Sequence, residues 1–384
     1  MFELTLLSVC SVSAFIWLAL TFMPARWRMS ERWEAVGNPY LPVSKLPSLS
    51  VIVPARNEST SLPQTLPSWL AQEYPESEII LIDDDSSDGT EDCARGIAEQ
   101  YKHDVRILKG IPPPPGWTGK LWALQQGVSV SSGEWLLFTD ADIRHSPNLW
   151  RGLVTMAMNE QRAMVSLMAL LDTVGMWARL LIPAFVYFFH LLYPFDKVKD
   201  LRSKVTAAAG GCILISRQAL DKIGGIAGHS DAWIDDLALA KRIKRAGLSL
   251  SLSLTKSAVS IRPYRQLCDV WNMVSRSAFT QLQCSWLALI GTVLGMSILF
   301  IFPIFGIFLS GIGGVYYITA SISLFAFLLM LVTYIPILRF YNLSLIQAFT
   351  LPLAGTLYLT MTVSSAINHV VGRREWRGTR SKIN

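Results

Sequence analysis

Charge is what this sequence has least of: only 16% of its 384 residues are Asp, Glu, Lys or Arg, against 51% hydrophobic residues. Soluble domains carry about one quarter charged residues. A chain this apolar is neither a disordered segment nor a charge-driven solubiliser, and part of it is expected to live in lipid. The shortage is uneven. From Ser285 to Val371, 87 residues, the single formal charge is Arg339. Cysteine is scarce as well: Cys10, Cys93, Cys212, Cys268 and Cys284 are scattered, odd in number and without metal spacing. That excludes a disulfide framework and a zinc site, and predicts reduced thiols in a cytosolic compartment. Internal repeats and low-complexity stretches are also missing. The net charge of +6 has no basic stripe with interleaved aromatics behind it, so nucleic acid is not an expected partner. Anionic lipid or a phosphorylated substrate remains.

What is present falls into segments. Residues 1–23 carry one charge, Glu3, and lack both a basic leader and a small-x-small cleavage site, so a retained transmembrane anchor is expected. Arg26, Arg28 and Arg32 follow, placing the downstream side in the cytosol. Residues 24–48 read as a Pro-punctuated juxtamembrane linker. From 49 to 265, short apolar strands such as LSVIVP, EIILID, VRILKG and WLLFTD alternate with helical stretches such as GTEDCARGIAEQYK and GKLWALQQGVSV. This alternation predicts an α/β fold with a mostly parallel sheet and helices on both faces. Ligands then bind outside the carboxyl ends of the strands, and the acidic strand ends converge on one rim.

Residues 266–284 suit an amphipathic interfacial helix, or equally a buried-face helix of the soluble domain. Residues 285–371 form a transmembrane region of two or three segments: Trp286 to Leu309, Val315 to Leu338, and a weaker third bearing Pro352, Asn368 and His369. Three C-terminal spans would put the basic tail 372–384 outside, against the positive-inside tendency, so the third is either a span or a re-entrant or interfacial segment, and the tail is expected to be cytosolic. LLIPAFVYFFHLLYPF, Leu180 to Phe195, is too short and Pro-bounded for a span; a helix lying in the membrane interface is preferred over a core helix.

Five constellations carry chemistry. VPARNE (53–58) ends the first strand and offers Arg56 and Glu58, though a helix start explains it equally well. In DDDSSDGT, adjacent carboxylates repel unless they meet a cation or donors; Asp83 and Asp84 would be satisfied by a nucleobase N–H or ribose hydroxyl. Asp88, before Gly89 and Thr90, reads as a helix cap. TDAD places Asp140 and Asp142 at spacing i, i+2, where both reach a diphosphate-chelated Mg²⁺ or Mn²⁺. GWTGK lacks the Walker pattern, and Lys120 in a first helical turn implies an anionic ligand, with a surface lysine the alternative. Asp235 and Asp236 open an amphipathic helix; they are ordinary dipole partners unless company with the other acids makes one a general base.

Together these describe a site for a nucleotide diphosphate, a divalent metal and a carboxylate base. VPARNE, DDDSSDGT, GK, TDAD, AAAGGCILISR (207–217) and the acidic pair resemble family 2 glycosyltransferases of the GT-A fold, over nearly the whole chain. More narrowly, IPPPPGWTGKLWALQQG, LLIPAFVYFFHLLYPF, TAAAGGC and IDDLALAKRI resemble the hopene-associated glycosyltransferases of bacteria, and the last is similar to the acidic-pair helix of ceramide glucosyltransferases.

The resemblance implies a metal-dependent, hexosyltransferase-type enzyme of the bacterial cytoplasmic (inner) membrane, multi-pass, with its catalytic domain facing the cytosol. It implies a nucleotide-sugar donor and a lipid acceptor, and sets no oligomeric state. Asp84 would hold uracil with Asp83 beside it; Pro54, Arg56, Glu58, Gly210 and Gly211 would line the donor. Asp140 would contact ribose or diphosphate, Asp142 with Asp140 would ligate metal, and Lys120 would meet the diphosphate or uridine. Asp236 would be the base, with Asp235 where Glu is usual. The family's Gln-x-x-Arg-Trp motif is degraded: Arg276 matches its Arg on the acceptor side, while Met273 and Ser277 replace Gln and Trp. A single-sugar transfer is therefore expected. The alternatives are a catalytically silent nucleotide-binding scaffold of a lipid-synthesis complex, which would not need Asp236, and a nucleotidyltransferase, which would not need the acidic pair.

Overall fold

The computed structural model describes residues 2–36, 40–101, 105–232, 234–309, 315–371, 375–376 and 379–380. The basic tail therefore lies largely outside the described residues. The chain divides into two units: one α/β, formed by 31–172 and 193–262, and one helical, formed by 1–30, 173–192 and the residues from 263 onward.

After helix α1 (Phe2–Thr21) of the helical unit, the α/β unit runs β1 (Leu49–Ala55), α2 (Leu62–Leu70), β2 (Ser77–Asp83), α3 (Thr90–Tyr101), β3 (Val105–Lys109), α4 (Gly119–Val130), β4 (Trp135–Thr139), β5 (Ile143–His145), α5 (Leu149–Asn159) and β6 (Met164–Leu170). The chain then forms α6 (Met176–Leu192) in the helical unit. It returns through α7 (Phe195–Lys199), β7 (Cys212–Ser216), α8 (Arg217–Lys222), α9 (Asp235–Arg245) and β8 (Leu250–Ser260). The strands make one eight-stranded sheet, ordered β3-β2-β1-β4-β7-β6-β8-β5. Strands β3, β2, β1 and β4 are mutually parallel, β7 runs against both β4 and β6, β8 is parallel to β6, and β5 is antiparallel to β8. The sheet is mostly parallel, as the alternation of strand and helix predicts.

β1 is buried along nearly its whole length, the pattern of a central strand covered on both faces. α4 lies close on that sheet because Gly127 has no side chain: a Cβ there would fall 2.4 Å from Ile52 Cγ2 and 2.8 Å from Ile82 Cδ1. On the opposite face Leu62, Leu66, Trp69 and Trp150 are fully buried.

Part of the expected linker is hydrogen-bonded to β8: Trp33 N–H donates to Leu254 O (2.9 Å), and the Glu34 carboxylate accepts from Thr255 Oγ1 (3.2 Å), Lys256 N (2.9 Å) and Ser257 Oγ (2.7 Å). The stretch 49–265 is also discontinuous, because 173–192 leaves it.

In the helical unit, α6 is packed against other helices. Eight of its residues, among them Tyr187 and His190, are buried; Tyr187 Oη bonds Thr333 Oγ1 (2.7 Å), and Tyr358 Oη donates to Leu181 O (3.0 Å). The single amphipathic helix expected over 266–284 is instead a pair, α10 (Leu267–Ser275) and α11 (Ala278–Gln281). It is packed on helix 351–370 through Trp271 Nε1 to Ser364 Oγ (3.1 Å) and Phe279 N to Ser365 Oγ (3.0 Å). Among the described residues four helices are long and apolar enough to cross a membrane: Glu3–Thr21, Trp286–Phe308, Tyr317–Phe340 and Leu345–Val370. The last, a span or a re-entrant or interfacial segment by its sequence, meets the same length and composition requirement as the others. The second contains a π-helical turn, Ser297–Ile301, ahead of Pro303. Proline lacks the N–H that would bond Leu299 O, and Trp17 Nε1 of α1 takes that carbonyl instead, at 3.2 Å.

Candidate active site

Strand direction assembles the site. The carboxyl ends of β1, β2 and β4 bring Ala55, Asp83 and Thr139 to one rim, and each continues into a polar loop. Because β7 runs the other way, its amino end lies at that rim, which puts Gly210 and Gly211 beside Asp140; Asp140 N donates to Gly211 O at 3.2 Å. The first turns of α4 and α9 supply Lys120 and the acidic pair. α4 starts at Gly119 because Thr118 caps it, its hydroxyl accepting from Leu121 N (3.4 Å).

Lys120 Nζ sits 2.9 Å from Asp140 Oδ1 and 3.2 Å from Asp235 Oδ2. Burial alone would depress the ammonium, but Asp140 and Asp235 outweigh it and hold it charged well above the usual lysine range. The anionic partner that a first-turn lysine implies is thus supplied by the chain itself. Asp235 and Asp236 are driven apart. Burial raises both; Lys120 and backbone N–H groups bring Asp235 down, whereas burial and the Asp235 charge push Asp236 up to about 7. Gly210 is the close neighbour: a Cβ there would meet Asp236 Oδ2 and Lys120 Nζ at 3.5 Å each. The cleft is further lined by Pro54, Thr139 and His229, over an apolar floor that includes Leu124, Phe138 and Ile213.

The residues expected at the nucleotide end form a second group. Asp84 is buried, its Oδ2 3.5 Å from Arg56 Nη1, and burial raises its pKa while Arg56 opposes. Asp83 is buried too, its Oδ1 accepting from Ser86 N (3.1 Å). Asp88 is a cap, as its sequence context predicts: it accepts from Thr90 N (3.1 Å) and Oγ1 (2.5 Å) and from Ser59 N (3.0 Å) and Oγ (2.7 Å).

The two acids of TDAD do not point at one partner. Asp140 faces Lys120, while Asp142 Oδ2 is 3.2 Å from Arg262 Nε, and Arg262 Nη2 is 3.7 Å from Glu58 Oε1. Among the described residues no three His, Cys, Asp or Glu are grouped to hold a metal ion. Two hard-oxygen carboxylates on one loop nevertheless suit a divalent cation that takes its other ligands from water and a diphosphate.

Arg276, expected on the acceptor side, lies in the helical unit as the C-cap of α10, its N–H donating to Asn272 O (3.2 Å). Sequence reasoning missed Arg262 and His229. The signals for them, an Arg just past the end of a strand and a His six residues ahead of the acidic pair, are too common to single out.

Residues 50–224 match the model of Glycosyl transferase family 2. A probable glycosyltransferase, YdaM of Bacillus subtilis, is 33% identical over 123 residues, covering 32% of this chain and 29% of that protein. A beta-monoglucosyldiacylglycerol synthase of Trichormus variabilis is 22% identical over 256 residues, covering 60% of this chain and 52% of that one. The chain thus spans about half or less of the length of these relatives. Among solved structures, the mannosyltransferase PcManGT of Pyrobaculum calidifontis, in complex with GDP-Man and Mn²⁺, superposes with a TM-score of 0.53 at 18% identity, over 96% of this chain and 99% of that one. The fold is GT-A, and residues 50–224 are similar to the family 2 glycosyl transferase domain.

Proposed function

We propose that this chain, starting from its family 2 domain, is a membrane-bound inverting glycosyltransferase that moves one sugar from a nucleotide-sugar, a UDP-sugar, to the hydroxyl of a lipid. The observation that carries the reading is the divided acidic pair: Lys120 keeps Asp235 ionised, and burial together with that charge leaves Asp236 with the proton affinity of a general base. Asp236 takes the proton of the acceptor hydroxyl. The acceptor oxygen bonds to the anomeric carbon from the face opposite the diphosphate, and the carbon–phosphate-oxygen bond breaks. Asp84 and Arg56 hold the base and ribose end of the donor, and Lys120 meets the diphosphate. Asp140 and Asp142 would hold Mg²⁺ or Mn²⁺, which when bound supplies positive charge to the departing diphosphate.

Four apolar helices and the relative named for glucosyldiacylglycerol synthesis support a lipid acceptor. A hopanoid-type lipid is the specific candidate from sequence resemblance, and a bacterial inner membrane with the α/β unit in the cytosol is the matching location. The Asp236→Asn variant should lose transfer by at least ~10²-fold and keep UDP affinity. Unchanged turnover would remove Asp236 from the mechanism. Mass spectrometry of lipid extracts from cells with and without the gene identifies the acceptor, and an unchanged glycolipid profile would overturn the lipid assignment.

A further inference from the structure

Behind the acidic rim lies a chain of hydrogen bonds in which the imidazole proton has a forced place. Trp150 Nε1 is 3.0 Å from His145 Nδ1. An indole nitrogen can only donate, so Nδ1 must accept and the imidazole proton must sit on Nε2. Nε2 is 3.1 Å from Thr139 Oγ1, and that hydroxyl is 3.1 Å from Gly211 O. A hydroxyl has one proton, so Thr139 accepts from His145 and donates to Gly211 O, the nearer of its two carbonyl acceptors, Asp140 O lying at 3.5 Å. The Gly211 carbonyl also accepts the Asp140 N–H at 3.2 Å. His145 is buried, and burial pushes its pKa down to about 3, which keeps it neutral. Its own backbone is held as well: His145 N donates to Ser68 Oγ (3.1 Å), and Trp69 Nε1 donates to Ile143 O (3.0 Å).

We propose that His145 is a positioning residue that, through Thr139, fixes the Gly210–Gly211 turn against Asp140. It rests on the reading of this rim as a nucleotide-sugar site, and His145 itself touches no substrate. Two donors on one carbonyl hold the amino end of β7 in register with the end of β4. Gly210, at the far side of that carbonyl, is the residue packed on Lys120 and Asp236. A ring in the other tautomer would present a bare Nε2, and Thr139 would have to turn its proton from Gly211 to His145. Trp150 therefore decides, two bonds away, whether Gly211 is held.

The test uses the full-length protein in detergent, with ¹⁵N-labelled histidine, and UDP with Mn²⁺ as the probe. Long-range ¹H–¹⁵N correlations should show one histidine, absent from His145→Leu, in the Nε2–H form from about pH 5 to about pH 8. Trp150→Phe should release that lock, so that the ring populates the Nδ1–H form. UDP affinity should fall about tenfold in His145→Leu, the loss of one hydrogen bond's worth of order. His145→Gln, which keeps an N–H for Thr139, should recover most of it. A wild-type Nδ1–H tautomer would overturn the proposal, as would His145→Leu binding UDP as tightly as wild type. If His145→Leu does not fold, His145→Gln and Trp150→Phe decide: a Trp150→Phe ring still locked in the Nε2–H form overturns the relay. Wild-type protein that binds no UDP would sink the nucleotide-sugar reading instead, and the tautomer would then judge the relay alone.

Discussion

Lys120 is the residue whose removal should report most on the chemistry. In Lys120→Met the rim keeps Asp140, Asp235 and Asp236 and loses the cation placed 2.9 and 3.2 Å from the first two. Two consequences compete. The buried-pair limit for removing one partner is about 3–5 kcal/mol, and the exposed-pair limit is about 0–1 kcal/mol. The Lys120, Asp140 and Asp235 side chains are 23%, 37% and 25% exposed, so the loss should lie between these limits, at about 2 kcal/mol. The electrostatic consequence is larger in effect. A neighbouring cation lowers a carboxylate by roughly 1–3 pH units, so without Lys120 the Asp236 carboxyl should titrate higher still. A general base works deprotonated, so wild-type activity should fall as pH drops through the raised Asp236 value of about 7. In the variant that acid limb should move up by at least ~1 unit. The assay is the pH dependence of kcat/KM for UDP-sugar turnover, with thermal melting run alongside. An acid limb at the same pH in both proteins would refute the assignment of Lys120 as a group that holds Asp236 down.

Other perturbations test the frame around the site. Asp88→Ala should cost about 1 kcal/mol by melting, because the cap of α3 is lost. Slight burial acts to raise the Asp88 carboxyl, but its hydrogen bonds from Thr90 and Ser59 outweigh this and hold it below its ordinary value. The stability it contributes is therefore present above the ordinary aspartate range and is lost as pH falls through the depressed value. Gly127→Ala gains about 1 kcal/mol of helix propensity but must displace Ile52 and Ile82, at about 1–3 kcal/mol; a net loss in melting temperature is expected, and a gain would show that α4 can lift off the sheet. Trp17→Phe leaves the Leu299 carbonyl without its indole donor and should destabilise the helical unit by about 1–2 kcal/mol in detergent unfolding.

Much of this was legible in the sequence, and what was not has a common cause. α4 spans the same twelve residues that its apolar pattern predicts, since Thr118 gives it a local start. The acidic strand ends, the cap at Asp88 and the gathering of Lys120, Asp140 and the acidic pair follow from local signals plus one topological rule. The departures are nonlocal. Nothing near Cys212 says that β7 runs antiparallel, and nothing near Met176 says that α6 belongs with Thr333 and Tyr358 rather than with the sheet. Arg262 lies 120 residues after Asp142, and neither residue's surroundings in the chain mark them as an ion pair. Pairings of that separation depend on which strands become neighbours, a choice made by the whole sheet.

The reversed strand also sets an order of events during synthesis. A nascent chain that has emerged as far as Asp142 already holds Arg56, Asp84, Lys120 and Asp140, the donor-side groups. The Gly210–Gly211 turn and Asp236 arrive about seventy to a hundred residues later, several seconds at ordinary translation rates. On the proposed reading, a prematurely terminated product that ends before Gly210 lacks both the rest of the donor site and the proposed base, so abortive translation should yield no fragment that transfers sugar.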